Sequence, residues 1–175
     1  MKIGYSGLTL PEGKVTLNPE NQKRAAQEAV LLKNIWPRRT DKTWNGNFVA
    51  PTDTEISEVF GVRRIMNEKK NSVHRGMDFR GKKGTPVKAI NAGKVVLTDD
   101  LFFGGNTLIL DHGMGLYSIY MHLSKFSVKK GDKVVTEQVI GQVGSTGRAT
   151  GPHLHMSVKL RGVSVNPESL FKLGL

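Results

Sequence analysis

The 175-residue chain contains no cysteine. That excludes disulfides and thiolate metal ligands, and leaves the compartment open. No stretch approaches the roughly 18 consecutive apolar residues of a membrane-spanning helix. The opening residues Met1 to Tyr5 lack the apolar stretch of a secretory signal. This start fits a cytoplasmic chain or a mature or trimmed form of a secreted one. Acidic residues are in the minority, 15 against 26 lysines and arginines, for a formal net charge of +11. Such a field draws a protein toward polyanions, either nucleic acid or an anionic cell wall or outer surface. The basic residues are scattered, and no recognition-helix or RNA-binding signature interleaves them, so nucleic acid is not the expected partner.

What is present indicates strands. The length suits one domain with an extension. A hydrophobic share of 38% suffices for a core, and 20 glycines punctuate many short apolar runs. Residues 2–16 alternate loosely around Pro11 and Gly13, which predicts a short hairpin. Asn18-Pro19-Glu20 reads as a helix start, with Asn18 as N-cap and Pro19 in the first turn. Ala25, Ala29, Leu32 and Trp36 recur at helical spacing. Pro37 stops that helix, and the stripe is expected to pack in a core rather than bind a ligand. Residues 38–46 look like a linker. From Asn47 onward, apolar segments at 87–90, 94–97, 107–110, 117–120, 133–135, 139–140 and 153–160 read as strands separated by Gly- and Asp-rich turns. That pattern predicts an all-β sandwich or barrel.

The histidines carry the chemistry. In a strand, residues i and i+2 share a face, so His153 and His155 project together with Cα atoms roughly 7 Å apart. Both can ligand one metal, or one can ligand it while the other stands beside it. His74 and Asp78 would lie about 13 Å apart on a plain strand; a bend at Gly76 brings them together. Histidine and aspartate are ligands that zinc accepts, and three protein ligands with an open fourth position mark a hydrolytic site. His122 closes an apolar strand and alone is ambiguous. His112, in a glycine-rich turn, reads as structural.

These motifs coincide in order with those of a known family. The chain resembles the lysostaphin/LytM-type zinc metallo-endopeptidases of bacterial cell walls. The resemblance rests on His74-x-x-x-Asp78, Gly84-Thr-Pro-Val87, Ala92-Gly93, Gly105-Asn106, Asp111-His-Gly113, Tyr120-Met-His-Leu-Ser124, Val128 to Gly131, Gly144-x-Thr-Gly147, Thr150-Gly-Pro-His-Leu-His155 and Asn166-Pro167. It implies one zinc ion held by His74, Asp78 and His155, with water as fourth ligand, and His122 and His153 as unligated catalytic histidines. It implies a mainly β fold, an antiparallel sandwich or barrel-like sheet of duplicated-hybrid-motif type with a long groove. The division is then a catalytic domain over 47–175 behind an N-terminal helical extension, 1–46. Residues 58–64 resemble a segment of Gram-negative-type members. The implied substrate is peptidoglycan peptide, with a D-alanyl–diaminopimelate cross-link favoured over a glycine bridge, and the implied location is periplasmic or extracellular. Within this scheme His153 is the expected base and His122 the oxyanion stabiliser. Whether residues 1–46 lie across the groove is open.

Many members follow His-Leu-His with an aromatic residue and a glutamate. Here Met156 and Ser157 stand there, which puts the groove rim and the substrate preference in question. Arg63 and Arg64 are candidates to hold a peptide carboxylate, with a solvated role as the alternative. No His-Glu-x-x-His pattern exists, so thermolysin-type chemistry is not indicated. Two rival readings remain: a non-catalytic wall-binding activator of another hydrolase, whose representatives typically lose zinc ligands, and a phosphotransfer domain, which has no need of Asp78.

Overall fold

A computed structural model describes residues 4–68 and 70–173. The strands are β1 (Tyr5–Leu8), β2 (Ile56–Glu58), β3 (Arg63–Met66), β4 (Lys70–Val73), β5 (Met77–Arg80), β6 (Pro86–Lys88), β7 (Gly93–Leu101), β8 (Gly105–Gly113), β9 (Leu116–Phe126), β10 (Lys133–Val134), β11 (Val139–Val143), β12 (His153–Leu160) and β13 (Val163–Val165). Three helices accompany them: α1 (Glu12–Val15), α2 (Pro19–Lys33) and α3 (Pro167–Lys172).

The main sheet runs β10-β7-β8-β9-β12-β5-β2, with β11 bridging β6 to β9 and β13 flanking β12. Its pairings are antiparallel throughout, the mainly β architecture that the sequence predicts. Strands β8 and β9 carry consecutive apolar residues at 108–110 and 119–121 because both of their faces are covered. Leu108, Leu110 and Tyr120 point into one cluster with Met77, Phe79, Val87, Ile140 and Leu154. Ile109, Tyr117 and Ile119 point the other way, onto Leu97, Leu101 and Ile35. Tyr117 anchors the chain after α2 there, donating its hydroxyl to the carbonyls of Ile35 (3.0 Å) and Arg38 (2.8 Å).

Three expectations change. Residues 5–16 do not form a hairpin. β1 pairs in parallel with β3, some 58 residues away, and residues 12–15 make one helical turn. Pro11 and Gly13 signal a local reversal, but β1 finds its hydrogen-bonding partner in a distant strand. α2 starts as read, with Asn18 Oδ1 accepting the Asn21 N–H at 2.8 Å and Pro19 in the first turn. It ends at Lys33, before Pro37, and none of its residues is fully buried. The expected core stripe is met only at its C-terminal end: Leu32 and, beyond the helix, Trp36 pack against the Ile109–Tyr117 cluster, while Ala25 and Ala29 wall a cleft. The third change concerns Met156 and Ser157. Both are buried, and Met156 belongs to the main core, so the departure at Met156 does not reach the groove rim. No helix among the described residues is long and apolar enough to cross a membrane.

Candidate active site

β12 and β5 lie side by side in antiparallel register, with His155 opposite Asp78 and Met156 opposite Met77. β4 ends at Val73, and the chain bends at Gly76 before β5 begins. This bend returns Asp78 to His74, as the spacing required. The reason for glycine is space rather than dihedral freedom. A Cβ at Gly76 would sit 2.5 Å from the Met156 carbonyl oxygen and 2.7 Å from Cε1 and Nε2 of His155.

The three candidate ligand atoms converge. His74 Nε2 lies 3.1 Å from Asp78 Oδ1, His155 Nδ1 lies 2.7 Å from the same oxygen, and the two ring nitrogens are 3.0 Å apart. Tetrahedral zinc at its usual ligand distances needs edges of about 3.3 Å, so slight outward movement admits the ion. The donor set of two imidazoles and a carboxylate matches that metal. His74 is held by its other nitrogen. Nδ1 donates to the Val59 carbonyl at 2.8 Å, and Glu58 Oε2 lies 3.2 Å away. Because a carbonyl only accepts, Nδ1 carries the proton and Nε2 keeps its lone pair for a cation. Burial opposes ionisation of Asp78, but its contacts with the His155 and His74 rings hold its pKa well below the usual carboxylate range. Burial lowers the pKa of His155 against the pull of Asp78, which favours the neutral ligand form.

Beside this trio stands a second histidine pair. The rings of His122 and His153 have centroids 4.8 Å apart, and His122 is 6.1 Å from His155. β12 delivers His153 and His155 to one face, as their i, i+2 spacing predicts. His122 reaches the same place by a different device. Its backbone adopts φ 62°, and the β8–β9 pairing shifts register around it. A non-glycine residue in the left-handed region is strained by about 1–3 kcal/mol, and here the strain turns an imidazole out of the strand alternation into the cleft. His122 Nδ1 donates to the Thr146 carbonyl at 2.8 Å, and His153 Nδ1 donates to the Gly151 carbonyl at 2.9 Å. In its neutral form each ring then leaves Nε2 as the acceptor. Burial, then the neighbouring His153 and His155, push the pKa of His122 down to about 3.

His112 lies apart from the cleft. It is fully buried, with Nδ1 2.7 Å from the Ala92 carbonyl and Nε2 2.8 Å from Ser118 Oγ. Of the two candidate carboxylate-binding arginines, Arg63 is exposed. Arg64 bonds both Glu58 and Asp78, so its guanidinium is already neutralised. Two residues without a role in the sequence reading adjoin the site, Glu58 and Arg148. Glu58 arrives through the β2–β5 pairing, in register with Asp78, and no local spacing announces that. The cleft around the histidines holds about 550 Å³, with Arg64, Arg80, Arg148, Leu8 and Leu10 on its walls. A neighbouring space of about 350 Å³ lies between His122, His155 and the α2 residues Ala25, Glu28 and Leu32.

Comparison with known proteins gives consistent matches. The family model described as Peptidase family M23 matches residues 72–167. The chain is 44% identical over 119 residues to the Vibrio cholerae peptidoglycan DD-endopeptidase ShyA, covering 66% of this chain and 28% of that protein. The chain thus spans well under half the length of this relative. A Pseudomonas aeruginosa protein with a crystal structure described under peptidase M23 superposes with TM-score 0.77 at 39% identity, covering 89% of this chain and 64% of that one. A zinc-containing peptidase from Vibrio cholerae superposes with TM-score 0.68 at 33% identity, over 75% of this chain and 41% of that one.

Proposed function

The chain belongs to peptidase family M23, and from that premise we propose that it is a zinc-dependent endopeptidase that hydrolyses the peptide cross-links of bacterial peptidoglycan, at a D-alanyl–diaminopimelate bond. The observation that carries this reading is the convergence of His74 Nε2, Asp78 Oδ1 and His155 Nδ1 within about 3 Å of one another beside the His122–His153 pair. A wall-binding activator would need neither the three donors nor the strained His122. The DD-endopeptidase relative and the net charge of +11 favour a diaminopimelate cross-link in an anionic wall. Action on that substrate places the protein in the periplasm or outside the cell.

His74, Asp78 and His155 would hold the ion, with water completing the set. Zinc in such a site polarises a peptide carbonyl and lowers the pKa of its water to roughly 7. The remaining work falls to the chain's own groups. His153, half-buried with a free Nε2, takes the proton from the attacking water and passes it to the leaving amine. His122 faces the same space with Nε2 as an acceptor that orients water. It serves a developing oxyanion only after that nitrogen has gained a proton, which its burial opposes. Glu58 and the Val59 carbonyl fix the His74 ring.

The test uses purified zinc-loaded chain on defined cross-linked muropeptides, with mass spectrometry of the products. New amino termini at diaminopimelate, abolished in His153→Ala, are expected. If the zinc-loaded protein releases no new amines, or releases the same amount with His153→Ala, the proposal fails.

A further inference from the structure

We propose that Arg148 is the subsite for a substrate carboxylate, the one on the carbon that bears the scissile nitrogen. This rests on the endopeptidase reading above and names how that site would choose its bond.

The cleft holds three arginines, and they are not equivalent. Arg64 is tied to Glu58 and Asp78. Arg80 is exposed, with Glu55 3.9 Å away. Arg148 is half-buried, and among the described residues its guanidinium makes no hydrogen bond or ion pair. It lies 4.3 Å from the centroid of the Phe103 ring. Burial, followed by the charge of Arg64, lowers its pKa. A guanidinium taken partly out of water without an anion is costly, and its planar fork matches a carboxylate bidentately. Arg148 borders both spaces that meet at His122.

Its backbone is fixed by the contacts that fix His122. The Arg148 N–H donates to the Phe103 carbonyl at 2.9 Å. Thr146 Oγ1 accepts the Asn106 N–H and donates to the Leu123 carbonyl, both at 2.9 Å. Gly147 packs so closely on Gly105 that a Cβ on Gly147 would lie 2.2 Å from the Gly105 nitrogen. Two residues before Arg148, the Thr146 carbonyl orients the His122 ring. One rigid loop thus presents a cation and aims a histidine into one cleft.

In a D-alanyl–diaminopimelate link, the carbon attached to the scissile nitrogen carries a free carboxylate, two bonds from the atom that must be protonated. A glycine bridge carries no such group. A carboxylate on Arg148 would set the scissile nitrogen beside His122 and His153 and reject neutral bridges.

The test compares two synthetic cross-linked peptides that differ only in that group, free acid against primary amide. Cleavage is measured with the zinc-loaded full chain. Affinity is measured by calorimetry in a His153→Ala background. The acid is expected to bind and react ~10- to 100-fold better than the amide. Arg148→Met should collapse the acid-to-amide ratio to about one, while Arg148→Lys retains part of the selectivity. Equal loss on both peptides would make Arg148 a structural prop on Phe103 and overturn the proposal. So would a wild type that does not distinguish acid from amide. Acid-selective binding that needs Arg148, without cleavage, would uphold the subsite and remove the endopeptidase reading alone.

Discussion

Gly76→Ala would test how tightly the fold sets the metal-ligand geometry. The added Cβ would sit 2.5 Å from the Met156 carbonyl oxygen and 2.7 Å from two atoms of the His155 ring. An ordinary carbon–oxygen contact is about 3.3 Å or more, so about 0.8 Å must open. The oxygen belongs to the backbone of β12, which is hydrogen-bonded to β5 in register with Met77 and Asp78. Relief of that contact comes from parting those strands or from shifting the 74–76 bend that carries His74. Either movement displaces His155 Nδ1 from its 2.7 Å or its 3.0 Å neighbour. Metal-ligand distances tolerate about 0.2 Å, so the displacement exceeds what the site absorbs. Overpacking of this kind costs about 1–3 kcal/mol, and zinc affinity should fall ~10- to 100-fold, about 1.4–2.8 kcal/mol. Competition against a chromophoric chelator reads the affinity, and thermal unfolding in excess chelator reads the cost to the apoprotein. Gly7→Ala, where a Cβ meets nothing within 4 Å, is the neutral control. Zinc affinity within twofold of wild type, with an unchanged apo Tm, would refute the steric argument.

Two other outcomes follow from the same structure. Burial holds the His112 pKa at about 4 against 6.5 in the unfolded chain, so the unfolded state takes up the proton first. The stability it contributes is complete above pH 6.5 and falls as pH drops toward 4, by about 3 kcal/mol at most. Denaturant unfolding of chelated protein should show this slope in wild type and lose it in His112→Gln; identical slopes would contradict it. Glu58→Gln removes the carboxylate beside His74 Nδ1 and Arg64. Zinc affinity should fall by about 10- to 100-fold with little change in apo stability, and an unchanged affinity would show that the Val59 carbonyl alone orients the ring.

Legibility in the sequence followed locality. His153 and His155 share a face because strand periodicity dictates it, and the 74–78 pair needed only a bend. The strands from 87 to 160 carry apolar runs between turn signals. The small sheet of β1, β3 and β4 has no such pattern: Arg63 and Arg64 are polar, Ile65 is exposed, and the β1–β3 pairing spans 58 positions. Helical spacing in α2 marks its inward face, yet does not say that this face divides between a cleft at Ala25 and Ala29 and a core edge at Leu32. His122 was recognisable by its motif only, since the positive φ and the register shift that aim it arise from pairing with neighbouring strands. Glu58 and Arg148 reach the site through tertiary contacts alone.

The ligand assignment on which the rest depends is tested most directly by counting zinc. After dialysis against buffer free of metal, the wild-type chain and His153→Ala should each retain one zinc per chain, and Asp78→Ala close to none. A full equivalent in Asp78→Ala, or no zinc in the wild type, would contradict the assignment of His74, Asp78 and His155 as the metal site.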